Sequence, residues 1–181
     1  MRLKVTIANA ASAAMLMAIT MAPAALAGED AFHAGAVIAD YGQVATVDAD
    51  AAIPADTKFK IAFDIKTAGD AGEVNRAINS AARFLNMHAE AGVDPADISL
   101  ALVVHGGAVH DVAKPADGAE NPNTALIAAL ADKRVKFYVC GQSAAYYDIG
   151  NDDLLPGVEM ALSAMTMHAL LQQEGYTLNP F

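Results

Sequence analysis

The sequence contains very little cysteine: Cys140 is the only one among 181 residues. A single thiol excludes an internal disulfide bond. In an oxidising compartment, an unpaired cysteine is either a reactive thiol or one half of an intermolecular bridge. The alternative is an inert, buried cysteine, because free cysteine often packs as a small apolar side chain.

Basic residues are also scarce. The chain has 11 lysines and arginines against 21 aspartates and glutamates, which gives a formal net charge of −10 at pH 7. Proteins that bind nucleic acid or anionic lipid need a positive surface. The charge balance therefore argues against both kinds of partner.

Long apolar runs are absent after the first 30 residues, and the one near the start has the form of a leader. Arg2 and Lys4 precede an apolar run, and Ala25-Leu26-Ala27 matches a signal-peptidase site. A retained membrane anchor is the alternative, but the uninterrupted apolar run from 13 to 19 is short for one. We expect residues 1–27 to be a cleaved signal peptide and the mature protein to be soluble and periplasmic, without a membrane partner.

Several cofactor and catalytic motifs are missing. The sequence has no GxGxxG pattern and no phosphate-binding loop, so we expect no cofactor. The GQS at 141–143 is not the glycine-flanked serine elbow of hydrolases. HGGAVHD offers His105, His110 and Asp111 as metal ligands, but their spacing matches no compact ligand motif, and we expect no metal site.

Without the expected signal peptide, residues 1–27, the chain has 154 residues, which suits one domain with its own core. Residues 28–57 are rich in alanine, aspartate and glycine and are predicted to form an extended N-terminal arm, leaving 58–181 as the domain. Strands are predicted at FKIAFDI, ISLALVVHGG, VKFYVC, VEMALSA and YTLNP, and helices at 67–92, 121–134 and 165–175. This alternation predicts an α/β fold of three layers, with a mainly parallel sheet covered by helices on both faces.

Each predicted helix carries its own signals. Asp70 and Glu73 resemble a capping box at the start of the first helix, and Gly92 ends it. Its polar face is expected to be solvated or at an interface; it carries Asn75, Asn79, Arg83 and Asn86. In the last helix, the methionines could suggest copper, but core packing is the preferred interpretation of the face formed by Met167, Leu170 and Leu171.

Two chemically capable side chains stand where predicted strands end. His105 closes ALVVH and Cys140 closes FYVC, and ligands of parallel α/β sheets bind beyond the carboxyl ends of strands. The helix starts that follow Cys140 and begin near Asn121 should offer free N–H groups at the same edge. The candidate binding residues around the two side chains are Gly106, Gly107, Asn121, Asn123, Gly141, Gln142 and Ser143. The long segment 106–120 is expected to be a lid or a subunit contact.

The thiolate is the working form of a cysteine, and its pKa depends on nearby groups. Lys136 is the nearest basic residue on the same strand parity, and it lies about 13 Å away at ~3.3 Å per residue. The following helix terminus and His105 are therefore the expected activators of Cys140. A strand-end histidine bonded only to backbone is the alternative for His105.

Several segments together resemble the DsrE/DsrF-like family, and specifically its exported single-domain branch. They are KIAFDI, VNRAIN, RFLNMHAEAGV, LALVVHGGAV, NPNTALIAAL, VKFYVCGQSAA and DLLPGVEMALSAMTMHALLQQEGY. The resemblance covers nearly all of 58–181, and CGQS and VVHG are its most specific parts. It implies a five-stranded, mainly parallel sheet and assembly into homo-oligomers such as trimers or hexamers.

The resemblance also implies a function. Sulfur-relay members of the family carry sulfur as a persulfide on a cysteine at the end of a central strand, and Cys140 matches that position. The expected partners are thus a small sulfur species or a sulfur-donor protein, with His105 assisting the thiol in a sulfurtransferase-like role. The alternatives are a non-catalytic module that binds a small anion or a metal, and an oligomeric assembly protein.

Overall fold

A computed structural model describes residues 28–116 and 118–180 of the chain. The predicted signal peptide, residues 1–27, lies outside the described residues. Within the described ranges, no helix is both long enough and apolar enough to cross a membrane.

The centre of the fold is a five-stranded sheet in which every neighbouring pair is parallel. Two short strands precede it, β1 (Phe32–His33) and β2 (Val44–Ala45), which pair with each other in antiparallel fashion. The sheet consists of β3 (Phe59–Ile65), β4 (Ile98–Val104), β5 (Lys136–Cys140), β6 (Val158–Ala161) and β7 (Thr177–Asn179), in the order β6-β5-β4-β3-β7. The predicted parallel, five-stranded α/β sheet is confirmed.

Helices cover both faces of this sheet, as predicted. They are α1 (Arg76–Glu90), α2 (Thr124–Asp132), α3 (Gly141–Tyr146) and α4 (Ala164–Gln173). Alternate residues of β3, β4 and β5 point to opposite faces. One set, including Phe63, Leu102 and Val139, packs with α1 and α2 in the larger core; the other, including Ala62, Val103 and Cys140, meets α4 residues such as Leu171 in a smaller apolar cluster.

The first helix begins later than its sequence suggested. Asn75 caps α1, because its side-chain oxygen accepts from the N–H groups of Ala77 and Ile78. Asp70 and Glu73 instead form a turn, in which the Glu73 N–H donates to the Asp70 carbonyl. The predicted capping box was wrong because the asparagine nearer the helix satisfies the free N–H groups directly.

The second helix also starts differently. Asn121 does not cap α2: its side-chain oxygen accepts from the Asn123 N–H, and its amide donates to the carbonyls of His110 and Ala113. Asn123 is fully buried and accepts from the backbone N–H of Asn75. These asparagines join α2 to two neighbouring segments, which explains why they are buried and not presented to a ligand.

The polar face of α1 is partly covered by the segment that precedes the sheet. Asn86 is almost completely buried, and its side-chain amide hydrogen-bonds with backbone groups of residues 37 to 42. Asn79 accepts from the Gly42 N–H, and Arg83 donates to the Gln43 carbonyl. The arm that precedes the sheet therefore packs along α1 and supplies backbone partners for these polar side chains.

The long segment after β4 was predicted to be a lid or a subunit contact. Its first half is a 3-10 helix, Gly106–Val112, with Ala108, Val109 and Val112 fully buried in the larger core. Asp111 of this helix accepts from the Gly69 N–H and the Asn75 amide. This half is consequently a structural part of the core rather than a movable lid.

The core face of α4 also differs in part from its prediction. Leu171 is fully buried and Met167 packs against the smaller cluster, as expected. Leu170, however, is exposed, so its assignment to the core was wrong. The inward face runs through Ala164, Met167 and Leu171, and His168 lies on it between them at helical spacing.

Candidate functional site

Three side chains meet at the carboxyl end of the sheet, on the face covered by α4. Val104 of β4 pairs with Val139 of β5, and His105 and Cys140 are the next residues on the two strands. Asp64 of β3 lies opposite Val103 and shares its parity. Because side chains alternate along each strand, Asp64, His105 and Cys140 all project to the same face.

These side chains line one pocket with a volume of about 350 Å³. Its lining is Asp64, His105, Cys140, Gln142, Ser163, Ala164, Met165 and His168. A larger cavity of about 560 Å³ lies beside His110, Lys114 and Tyr147. It contains neither the thiol nor the His105 and His168 rings, so we take the smaller pocket as the candidate site.

Cys140 lies at the inner wall of this pocket, where β5 gives way to α3. The residue is only 6% exposed, and its sulfur faces the hydroxyl and N–H of Ser143 and the N–H groups of Ala164 and Gln142. Burial raises the pKa of the thiol, but hydrogen bonding from these groups lowers it more, so the pKa lies below that of an ordinary cysteine. The contacts are weak, since the side chain makes no strict capping hydrogen bond to α3.

Asp64 holds two histidines. The Nε2 atoms of His105 and His168 lie 3.1 Å and 2.8 Å from the same carboxylate oxygen, Oδ1. A carboxylate oxygen only accepts, so each ring donates from Nε2. Partial burial raises the pKa of Asp64, but hydrogen bonds from His168 and His105 lower it more, and the net pKa is below the ordinary value.

The second nitrogen of the His168 ring, Nδ1, is buried and has no hydrogen-bond partner among the described residues. A protonated imidazole carries hydrogen on both nitrogens, and a buried N–H without an acceptor costs about 1–3 kcal/mol. Nε2 is therefore the nitrogen that donates to Asp64, and a hydrogen on Nδ1 would find no acceptor there.

The predicted binding residues around Cys140 have different positions. Gln142 lines the pocket, and Ser143 contacts the sulfur. Gly106 acts through Ser143, because its N–H donates to the Ser143 hydroxyl at 3.0 Å. Its φ of +56° and the Lys66 carbonyl, 3.0 Å from where a Cβ would stand, both favour glycine there.

The other predicted residues do not line the pocket. Gly141 begins α3, and a Cβ there would lie 2.7 Å from the Ala161 carbonyl oxygen. Gly107 belongs to the 3-10 helix and packs against Ala68, which lies outside that helix. Asn121 and Asn123 are held in the buried network described above, where their polar atoms bond to protein groups.

Sequence reasoning missed Asp64 and His168. Asp64 is an acidic residue near the end of β3. Its side chain points to the same face of the sheet as Ala62, whereas Phe63 points to the other face. An acidic residue near a strand's carboxyl end was a usable signal. His168 shares a helix face with Leu171, but only the docking of α4 on the sheet brings its ring to Asp64.

The cluster was also considered as a metal site. Across 28–116 and 118–180, no three side chains of histidine, cysteine, aspartate or glutamate are arranged to hold a metal ion. Asp64 Oδ1 is occupied by two imidazole N–H groups. The arrangement instead suits proton transfer and the orientation of His105 beside a thiol.

Comparisons with known proteins bear on the fold and the family of this chain. No curated protein matches the chain. Among solved structures, a protein of unknown function from Methanobacterium thermoautotrophicum, MTH1491, is 18% identical with a TM-score of 0.54, and the match covers 68% of this chain and all of that one. The ychN protein of E. coli is 18% identical with a TM-score of 0.50, over 68% of this chain and 99% of that one. At this identity, the likeness shows the fold.

The sequence itself supplies the family. A model of the DsrE/DsrF-like family matches residues 60–180, which is the whole sheet except the first residue of β3, with all four helices. The chain therefore belongs to the DsrE/DsrF-like family.

Proposed function

We propose that this protein binds sulfane sulfur as a persulfide on Cys140 and passes it to an acceptor. The observation that carries the proposal is the position of the thiol: it lines a pocket with His105 and Asp64, and its sulfur faces N–H groups that lower its pKa. A lower pKa increases the fraction of thiolate, which is the nucleophile. Family membership supports a role in sulfur chemistry.

The pocket residues divide this task. The Cys140 thiolate attacks the sulfane sulfur of a donor, and the N–H groups around it stabilise the anion before the attack. His105 lines the same pocket and can give a proton to the departing group. Asp64 orients the His105 ring through Nε2, as His168 in turn helps to orient Asp64.

The proposal includes export and assembly. The leader-like residues 1–27 support secretion to the periplasm and membership of the exported branch of the family. Val47 and Tyr146 are large apolar side chains that lie away from the pocket and are exposed in the single chain. Exposed apolar side chains of this kind support a homo-oligomer, such as a trimer or hexamer. Cell fractionation and native mass spectrometry test these two parts.

Intact mass spectrometry tests the central step. The mature protein is incubated with a small hydropersulfide, released in situ from a precursor, and weighed before and after reduction. We expect the wild type to gain the mass of one or more sulfur atoms, which a reductant removes, and Cys140→Ser to gain none. An unchanged wild-type mass, or an equal gain on Cys140→Ser, would refute the proposal. Ser80→Ala, on the outer part of α1, serves as a matched control that should load normally.

A further inference from the structure

The lining of the pocket around Cys140 contains no permanently cationic side chain. None of its lining residues is lysine or arginine. The sequence from 137 to 181, which supplies α3, α4 and most of the pocket, contains neither residue. The whole chain has a net charge of −10, so its long-range field also repels anions.

The charged groups within the pocket reinforce this. Asp64 is ionised near neutral pH because its pKa is lowered. The buried His168 Nδ1 has no hydrogen-bond partner among the described residues. His105 can add one positive charge at most, which only balances the carboxylate 3.1 Å away. Once Cys140 is a thiolate, two anionic groups share the pocket, and the lining residues that face them include imidazoles but no lysine or arginine.

Several hydrogen-bond donors of the pocket are directed at protein atoms. The N–H groups of Gln142, Ser143 and Ala164 face the cysteine sulfur. The Ser163 hydroxyl accepts from the Thr166 N–H, as the cap of α4. A sulfonate or carboxylate group in this pocket would lose its water shell without gaining a cationic partner.

The rim of the pocket is apolar. Met165 lines it and is 81% exposed, and Leu162, three residues earlier, is also exposed. The thioether of methionine is soft and adaptable and favours contact with uncharged carbon and sulfur groups. The part of a donor that remains outside the thiol would contact this rim.

Resting on the proposed function, we infer that the sulfur donor for this pocket is a small hydropersulfide, R–S–S–H, whose R group carries no negative charge. The Cys140 thiolate attacks the terminal sulfur. A new S–S bond forms between Cys140 and the terminal sulfur while the S–S bond of the donor breaks. The leaving group, RS⁻, takes a proton from His105 or water. The transferred sulfur enters and leaves the step as sulfane sulfur, so no oxidant or reductant is required.

Two matched donors test this inference. Hydroxyethyl hydropersulfide and carboxyethyl hydropersulfide, each released in situ from a precursor, share the same reactive group and differ in the charge of R. Loading of Cys140 is followed by intact mass, and each rate is divided by the rate of the same donor with a small free thiol. We expect the corrected loading rate of the neutral donor to be at least about fivefold higher. Repulsion of about 1 kcal/mol between the carboxylate of the charged donor and a negative charge in the pocket would give this ratio.

Variants at the rim locate the effect. Met165→Lys places a positive charge at the mouth and should bring the two corrected rates within about twofold of each other. Met165→Gln, of similar size and without charge, should keep the wild-type preference. Equal corrected rates in the wild type, or the same preference in Met165→Lys, would overturn the inference while the proposed function stands. Loading by neither donor would instead refute the proposed function, and this inference with it.

Discussion

His168 Nε2 lies 2.8 Å from Asp64 Oδ1, although the two residues are 104 positions apart in the sequence. The contact joins α4 to the end of β3 and brings an imidazole from each side onto one carboxylate oxygen, since His105 donates to the same atom. A carboxylate that accepts two N–H groups is fixed in position. The side chain that orients His105 toward the pocket is thus itself held by the helix that covers the thiol.

Asp64 should make the stability of the protein depend on pH. Its folded pKa is lower than the ordinary value near 3.9, so its stabilising contribution is fully present above pH ~4 and is lost as the pH falls through the folded pKa. Asp64→Asn should cost about 1–2 kcal/mol of unfolding free energy at pH 7, since the side chain is about one-third exposed and loses charge-assisted bonds. Urea unfolding at pH 7 and pH 3 should show the difference between the two proteins shrinking at pH 3.

A surface aspartate provides the control for this experiment. Asp97 pairs with the exposed Lys58 at 2.8 Å. Asp97→Asn removes the same formal charge and should change stability by less than about 1 kcal/mol at pH 7. If Asp64→Asn behaves like Asp97→Asn at both pH values, Asp64 has no special coupling to the two histidines.

Ser143 should set the reactivity of the thiol. Its hydroxyl and N–H are the largest of the hydrogen-bonding effects that lower the Cys140 pKa. The midpoint of alkylation by iodoacetamide should therefore lie below pH ~8.5, the value of an ordinary cysteine. Ser143→Ala should move that midpoint to higher pH and lower the thiolate fraction at pH 7. Ser80→Ala, whose hydroxyl bonds within α1, should leave the midpoint in place; an unmoved midpoint in Ser143→Ala would remove the assigned role.

The parts of the fold that follow from local pattern were predictable. Strand FKIAFDI is observed at Phe59–Ile65, and the strand ending in Cys140 ends there. The rule that ligands bind beyond the carboxyl ends of parallel strands predicted that His105 and Cys140 would lie at one edge, and the structure places both in one pocket. Their chemical roles stay predictions.

The remaining features depend on contacts between distant segments. His168 reaches the site only because Leu171, one turn further along α4, packs fully buried against the sheet. Asn121 and Asn123 resemble exposed helix-start residues, yet they bond groups of two other segments. Asn86 looks solvated on its helix until the arm covers it. No local pattern states which polar side chain will find a buried partner.

Asn86 should be a major source of stability for the arm. Its amide bonds buried backbone groups near Ile38 and Gly42, so Asn86→Ala leaves several of them unpaired. We expect a loss of about 2–4 kcal/mol in unfolding free energy, together with faster proteolysis within residues 28–57. Thermal denaturation and limited chymotrypsin digestion, which can cut after Phe32 and Tyr41, measure both. Met87→Ala, at the exposed neighbouring position, should change neither by much; equal effects of the two changes would contradict the assignment.

Gly141 should be essential for the position of Cys140. A Cβ at 141 would stand 2.7 Å from the Ala161 carbonyl and 3.3 Å from the Leu162 carbonyl, which are backbone atoms that cannot rotate away. Gly141→Ala must therefore push the end of β6 away from β5, which should lower the free energy of unfolding by about 1–3 kcal/mol. The Cys140 thiol, held less tightly, should also react faster with an alkylating reagent. At Gly150 the nearest atom is a flexible carboxylate oxygen of Asp153, 3.4 Å away. Gly150→Ala should thus be nearly neutral in urea unfolding and alkylation, and equal behaviour of the two variants would show that β6 yields without cost.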